Sequence, residues 1–374
     1  MRAVTSVLVV GCGSIGRRHA ANAAKLAAVT IFDAARERAT EAARTLGVAA
    51  WDSLEQALAA KPDAVVVATP HHAHLPVARA ALAAGTHVLI EKPLAASLDG
   101  VPDFLAEAER LGRRVHVVCN MRFHPAVVAL HRALPRVGRP LFARAHYGNY
   151  LPDMRPGADY RTLYCARAEA GGGVILDAIH EIDYLVWLFG PVERVTAEAG
   201  RVGDLDIDVE DYASLALAHR SGVRSEIHLD YLQRSKRRGC EIVGSEGTLI
   251  WTSEGKTPEQ CLVRFRPPSN RGWETILDEP DVDAGAPFIE LITRFLAGNG
   301  HDRDLLDGRG AADDLTIALA ALKSAATHTA VWLEPHTLTL PCARDRSSLA
   351  AAREEGTEPR GGEAEERRGR GSIR

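Results

Sequence analysis

The sequence has no run of 18 uninterrupted apolar residues, and so no candidate membrane-spanning helix. Its six cysteines (Cys12, Cys119, Cys165, Cys240, Cys261 and Cys342) include no C-x-x-C pair. That argues against a disulfide framework or structural zinc and for a reducing compartment. There is little net charge: 45 Lys and Arg against 49 Asp and Glu leave −4, which gives no footprint for nucleic acid. The first apolar run stops at Gly11, too short for a secretory signal and without a small-residue cleavage site. What remains is a cytoplasmic protein with neither nucleic-acid nor membrane partners. Its 374 residues suggest about two domains, and a composition 46% hydrophobic and 25% charged is that of a globular chain.

The first third alternates short Val-rich runs with Ala-rich stretches. Val4–Val10, Val29–Phe32, Ala64–Ala68, His87–Ile90 and Val115–Cys119 read as buried strands. Ile15–Ala28, Ala35–Leu46, Ser53–Ala60, Ala73–Ala84 and Leu98–Leu111 read as helices between them. This alternation implies βαβ units and a doubly wound parallel sheet over residues 1–121. Over 122–342 the rhythm changes. One Gly-rich stretch and helix, Gly171–Phe189, precedes strand-like runs at Val192–Ala199, Tyr212–His219, Gly222–Tyr231, Gly239–Val243 and Thr248–Trp251. Strands in succession with short turns predict an antiparallel sheet, followed by helices Pro287–Ala297 and Ala311–His328. Over 343–374, 8 Arg and 7 acidic residues accompany only Leu349 and Ile373 as large aliphatics. Such a segment buries too little to offset its ordering entropy and is expected to be a disordered tail.

Gly11-Cys12-Gly13-Ser14-Ile15-Gly16 fits G-x-G-x-x-G, placed after a predicted strand and opening a predicted helix. Gly11 permits the tight turn, Gly13 lets the backbone approach a pyrophosphate, and Gly16 lets helix and strand pack closely. The helix N-terminus then offers free N–H groups and a positive dipole end to the phosphates. Asp33 closes the second predicted strand, 22 residues after Gly11, where a carboxylate accepts from ribose hydroxyls and repels a 2′-phosphate. The cofactor expected is therefore NAD rather than NADP, although Arg36 and Arg38 stand nearby. Cys12 reads as a small apolar filler of the turn.

Glu91-Lys92-Pro93 ends a predicted strand, and strand C-termini of an open α/β sheet face the ligand crevice. Pro93 keeps Lys92 out of helical geometry. Further on, Asp177, His180 and Asp183 recur at three-residue spacing amid Ile175, Ile179, Ile182, Val186 and Phe189. Polar groups so embedded must be satisfied or functional. They can serve structural pairing, metal ligation or proton transfer, but no second His stands at ligand spacing. His71, His72 and His74 cluster as well, directly after a predicted sheet strand, and are not read as a zinc site. No metal is expected.

The order of these motifs, with His19, Thr69-Pro70-x-x-x-His74, Asn120-Met-Arg122-Phe123-His-Pro125 and the Gly171–Asp183 run, resembles the Gfo/Idh/MocA oxidoreductase family over about residues 4–340. The resemblance implies a Rossmann domain, then an α/β domain whose large, mostly antiparallel sheet mediates assembly into a homodimer or homotetramer. It implies NAD(P)-dependent oxidation or reduction of sugars, amino sugars, nucleotide-sugars or cyclitols. The implied cofactor contacts are Gly11, Gly13, Ser14, Ile15, Gly16, Asp33, Thr69, Pro70, His74, Glu91, Lys92 and Arg122. The family's Lys–Asp–His set carries over to Lys92, Asp177 and His180. Many members place the His four residues after the Asp; here the spacing is three. The stretch Tyr150–Tyr164 resembles members linked to surface-polysaccharide and amino-sugar metabolism, with Tyr160, Arg161 and Tyr164 as donors suited to a small polyhydroxylated substrate.

The residue types suggest the chemistry. His180 is a suitable base for the hydroxyl proton at neutral pH. Lys92 would stabilise the developing alkoxide, and Asp177 or Asp183 would orient the imidazole. Two other outcomes exist among similar proteins: glycoside hydrolysis through transient NAD redox, and non-catalytic sensing. Retention of both Lys92 and His180 disfavours the sensor.

Overall fold

The computed structural model describes residues 4–256, 259–268, 272–298 and 302–334. The stretch 343–374, expected to be a disordered tail, lies outside them.

The glycine and valine pattern of the first third folds as it reads. Strand β1 (Ser6–Val10) enters helix α1 (Ser14–Ala23), and β2 (Ala28–Phe32) leads to α2 (Arg36–Leu46) and the two-residue β3 (Ala49–Ala50). Then come α3 (Leu54–Ala59), β4 (Ala64–Val67), α4 (His74–Ala83), β5 (His87–Glu91), α5 (Val101–Arg110) and β6 (Val115–Val118). The six strands pair in parallel in the order β3-β2-β1-β4-β5-β6. β1, β4, β5 and β6 are nearly continuous Val, Leu and Ile, as a sheet covered on both faces requires. The order reverses between β1 and β4, and the crevice beyond the strand ends at such a point is where α/β sheets bind ligands.

The second sheet is larger than the sequence pattern suggested. After α6 (Pro125–Ala133), β7 (Pro140–Gly148) runs through its middle. Then follow α7 (Val174–Asp177), α8 (His180–Phe189), β8 (Val192–Gly200), β9 (Tyr212–His219), β10 (Arg224–Asp230), β11 (Arg237–Gly244) and β12 (Gly247–Glu254). β13 (Gln260–Arg266) and β14 (Glu274–Glu279) extend one edge. Helix α9 (Ala286–Ala297), β15 (Leu306–Asp307), α10 (Gly308–Thr327) and β16 (Val331–Trp332) complete the described chain. The nine strands lie in the order β14-β13-β12-β11-β7-β10-β9-β8-β16, antiparallel except for the parallel β7–β10 pair. β15 instead pairs antiparallel with β6, so the later part of the chain returns to the first sheet.

One expectation is corrected. Gly171–Phe189 is not a single helix: α7 ends at Asp177, Ala178 leaves helical geometry (φ −98°, ψ 31°), and α8 starts at His180. Asp177 and His180 therefore do not occupy i and i+3 of one continuous helix. No helix among the described residues is long and apolar enough to cross a membrane.

Candidate active site

Three strand ends of the first sheet converge: β1 runs into Gly11, β4 into Thr69-Pro70, and β5 ends on Glu91-Lys92. Gly11 adopts φ +100°, and a Cβ there would lie 2.4 Å from the Ala68 carbonyl oxygen. A Cβ on Gly16 would lie 1.8 Å from the Gly11 carbonyl oxygen. Both positions exclude a side chain for reasons internal to the protein. Gly13 differs, since a Cβ there would meet nothing within 4 Å. The open space at Gly13 fits a close-approaching pyrophosphate. Gly13 caps α1 with no side-chain bond, leaving the helix's first N–H groups for an anion.

Asp33 fits the ribose end. It is buried at the end of β2, and its carboxylate accepts from the Cys12 and Ala35 amides, each at 2.7 Å. Arg38 donates to the same carboxylate, at 3.0 Å from Nη2. Burial alone would raise the Asp33 pKa, but Arg38 and the two amides more than reverse that and hold it below its ordinary value. Arg36 pairs with Asp52 at 3.3 Å. Both guanidiniums that could have received a 2′-phosphate already face carboxylates. Burial and the neighbouring Asp33 push the Cys12 thiol up to about 11, so it is inert filler in the turn.

One cleft is lined by Ser14, Ile15, Thr69, His74, Glu91, Lys92, Tyr164 and His180, all named from sequence. Lys92 is partly buried, and its Nζ donates to Asp177 Oδ1 at 2.8 Å and also to the Asp177 main-chain oxygen. Burial opposes the ammonium charge, yet the Asp177 carboxylate overcomes it, and the Lys92 pKa rises above its ordinary value. Tyr164 Oη donates to the same Asp177 oxygen at 2.9 Å. His180 is pushed well below its ordinary value by burial, then by the charges of Lys92 and Arg238. The site thus holds a cationic lysine and a neutral imidazole.

His180 is oriented differently from the sequence expectation. Its Nδ1 is buried without a hydrogen-bond partner among the described residues. Asp177 is engaged by Lys92 and Tyr164. Asp183 is fully buried and accepts from Arg122 Nη2 at 2.7 Å and Nε at 2.9 Å. On the same first turn of α8, Glu181 accepts from Arg238 Nε at 2.7 Å. The helix backbone carrying His180 is therefore anchored on both sides by buried ion pairs, and no carboxylate grips the ring.

Three further residues named from sequence lie outside the lining of this cleft. Arg122, expected on the cofactor, turns inward to Asp183 because a buried guanidinium must be paired. Arg161 is exposed and pairs with Asp159 at 2.8 Å, and the Tyr160 hydroxyl accepts from the Asp206 amide. Neither residue lines the cleft: Arg161 fastens its own loop and Tyr160 ties that loop to Asp206. Only Tyr164 of that trio reaches the site. His74 does line it, with Nδ1 2.8 Å from the Pro93 oxygen and Nε2 2.9 Å from the Thr69 oxygen, and the neutral ring donates to one of these two carbonyls. His71 Nδ1 lies 2.8 Å from the Gly171 oxygen. Glu91 Oε1 lies 2.6 Å from His19 Nε2, and Pro70 precedes the short 3₁₀ turn His71–Ala73. Sequence reasoning did not place Arg18, His71, Asn120, Arg155 and Phe288 in the lining. Phe288 comes from α9, far along the chain, and no local pattern marks it.

Comparison with known proteins gives two family matches. Residues 5–119 match the Gfo/Idh/MocA model described as an oxidoreductase family with an NAD-binding Rossmann fold. Residues 134–250 match the GFO/IDH/MocA C-terminal domain. A 1,5-anhydro-D-fructose reductase of Ensifer adhaerens is 30% identical over 344 residues, covering 87% of this chain and 98% of the relative. An inositol 2-dehydrogenase of Cereibacter sphaeroides is 30% identical, covering 84% and 92%. Among solved structures, a levoglucosan dehydrogenase complexed with NADH and L-sorbose superposes with a TM-score of 0.76 at 22% identity, over 88% of this chain and 99% of that one. That last likeness shows the fold.

Proposed function

The chain belongs to the Gfo/Idh/MocA family of oxidoreductases, with an NAD-binding Rossmann domain, and on that premise we propose that it oxidises or reduces a secondary-alcohol carbon of a sugar, amino sugar, nucleotide-sugar or cyclitol. The observation that supports this reading best is the pairing of a partly buried, charged Lys92 with a buried, neutral His180 in the cleft that begins at the glycine turn.

NAD, when bound, supplies the hydride acceptor or donor. The chain's own residues do the rest. The glycine turn and the α1 N-terminus receive the pyrophosphate, and Asp33 receives the ribose hydroxyls. Lys92 Nζ donates to the substrate hydroxyl oxygen and stabilises the charge that grows on it as the carbon is oxidised. His180, neutral at working pH, takes the hydroxyl proton, and in the reducing direction returns it. Asp177 keeps Lys92 protonated and aimed, with Tyr164 steadying the carboxylate. Substrate contacts come from the second domain, 122–342, as well as from Lys92.

Residues Thr196, Ala216, Glu226, Arg144, Glu241, Ile250 and Arg264 share one row across the second sheet, and none is buried. We assign this face to self-association, as a homodimer or homotetramer.

The reaction is tested by nicotinamide absorbance with purified protein, NAD and a panel of sugars, amino sugars, nucleotide-sugars and cyclitols. NADH formation with one class, abolished in Lys92→Ala, supports the reading. Glycoside cleavage without net NADH would replace it with the hydrolytic alternative. NADH binding with no turnover in either direction would favour the sensor.

A further inference from the structure

The charges around the cleft do not balance. Its lining carries three permanent cations, Arg18, Lys92 and Arg155, and one carboxylate, Glu91. Glu91 is committed to His19 and to the Lys92 amide, and Lys92 to Asp177. Arg18 belongs to α1, its guanidinium 5.0 Å from the Phe288 ring centre, beside the turn where a dinucleotide's phosphates supply negative charge. Arg155 is the cation left over.

Arg155 is solvent-exposed at the cleft and forms no ion pair among the described residues. Its guanidinium stands 5.8 Å from the ring centre of Tyr164. Tyr164 bonds Asp177 at 2.9 Å, which bonds Lys92 at 2.8 Å. The unmatched guanidinium is thus one aromatic ring removed from the Lys92–Asp177 pair, in the same cleft. A guanidinium presents a planar fork of donors that suits a carboxylate or phosphate and has no special use for a hydroxyl. A neutral polyol would leave this cation facing the cleft without a counter-charge.

We propose that the substrate is an anionic polyol, carrying a carboxylate or phosphate near the carbon that changes oxidation state, and that Arg155 binds this group and sets the preference for it. The proposal rests on the oxidoreductase reading for the carbon, but the anion contact can be measured without turnover. NADH-loaded protein is titrated with D-glucose, D-glucuronate and D-glucose 6-phosphate, following nicotinamide fluorescence, and turnover is assayed with these and with wider sets of neutral sugars, uronates, aldonates and sugar phosphates. An anionic probe should bind roughly 10- to 100-fold more tightly than its neutral counterpart, the range for a charged hydrogen-bonding partner, with the gap narrowing as salt rises. In Arg155→Met the gap should shrink to within about threefold, the residue of weak exposed electrostatics, and Arg155→Lys should restore only part of it. The carboxylate and phosphate arms identify which group is taken. Arg155-dependent anion binding without turnover would uphold the proposal and count against the oxidoreductase reading. Turnover of neutral sugars with no anion preference would do the reverse. Absence of anion binding, or a preference unaltered in Arg155→Met, would overturn it and leave a solvated arginine only.

Discussion

Lys92 and Asp177 are joined twice: the ammonium bonds the Asp177 side chain at 2.8 Å and the same residue's main-chain oxygen. The lysine that follows β5 is thereby clamped to the last turn of α7, at the point where the helix breaks. The clamp sets both position and charge. Burial alone would lower the lysine's pKa, and the carboxylate reverses that.

Asp177→Asn keeps the shape and removes the charge. With its largest opponent to burial gone and Glu91 the main one left, the Lys92 pKa falls, so the ammonium is lost as pH rises through a lower value. The kcat of Asp177→Asn should be reduced by about a hundredfold, the scale of losing an oriented charge stabiliser. Its kcat/KM should also decline between pH 7 and 9, where the wild-type value stays flat. A wild-type-shaped profile in the variant would show that Asp177 does not control the charge on Lys92.

Eight histidines (71, 74, 87, 116, 124, 146, 180 and 219) have pKa values lowered below the ordinary 6.5, in each case first by burial. His71 is lowered to about 3, and His87 and His116 to about 4. Above pH 6.5 neither folded nor unfolded chain protonates them. Below it the unfolded chain takes up protons that the folded chain refuses, so stability falls, by about 1.4 kcal/mol per pH unit for each such proton. Raised carboxyls at Asp314, Glu181 and Glu210 act oppositely but are fewer. The melting temperature should therefore drop between pH 7 and pH 5, before ordinary carboxylates titrate. A melting temperature that is constant or rises over that window would contradict the burial of these rings in the neutral form.

The Rossmann half was legible because its strands are continuous Val runs and its turn is written in glycines. β7 was missed because its inward residues are Ala143, Ala145 and Tyr147, which form no aliphatic run, although the strand sits mid-sheet. Lys92, Asp177 and His180 were found as residue types. What the types do not carry is partnership: Asp183 was read toward His180 three residues away and bonds Arg122, 61 positions away. Arg161 and Arg155 differ little in sequence, and only the path of the loop brings one of them into the cleft.

Two glycines of the turn, Gly13 and Gly16, should separate in mutation. Gly13→Ala adds a methyl to space that no protein atom approaches within 4 Å, at ordinary extended geometry (φ −65°, ψ −177°). It should melt like wild type yet bind NADH at least tenfold more weakly, about 1.4 kcal/mol. Gly16→Ala forces a methyl against the Gly11 carbonyl and should lower stability itself, by about 1–3 kcal/mol. Calorimetry with NADH titration distinguishes the two. Unaltered affinity in Gly13→Ala would remove the pyrophosphate from that space.

The acids behind α8 should differ sharply although they adjoin one another. Asp183, Asp314 and Cys119 place polar atoms within 4.8 Å of each other in the interior, and a single cation, Arg122, bonds Asp183 there. Two carboxylates so close do not both ionise beside one guanidinium. Asp314, on α10, is pushed well above its ordinary value by burial and then by Asp183, and so remains protonated. Asp314→Asn replaces one neutral group by another of similar shape and should change unfolding free energy by less than about 1 kcal/mol. Asp183→Asn strands the Arg122 charge in the interior and should cost about 3–5 kcal/mol. Because Asp183 lies one turn from His180, that variant should also lower kcat, whereas Asp314→Asn should not. Denaturant unfolding of both variants at pH 8 decides. A loss in Asp314→Asn equal to that in Asp183→Asn would mean that Asp314, too, is ionised against Arg122.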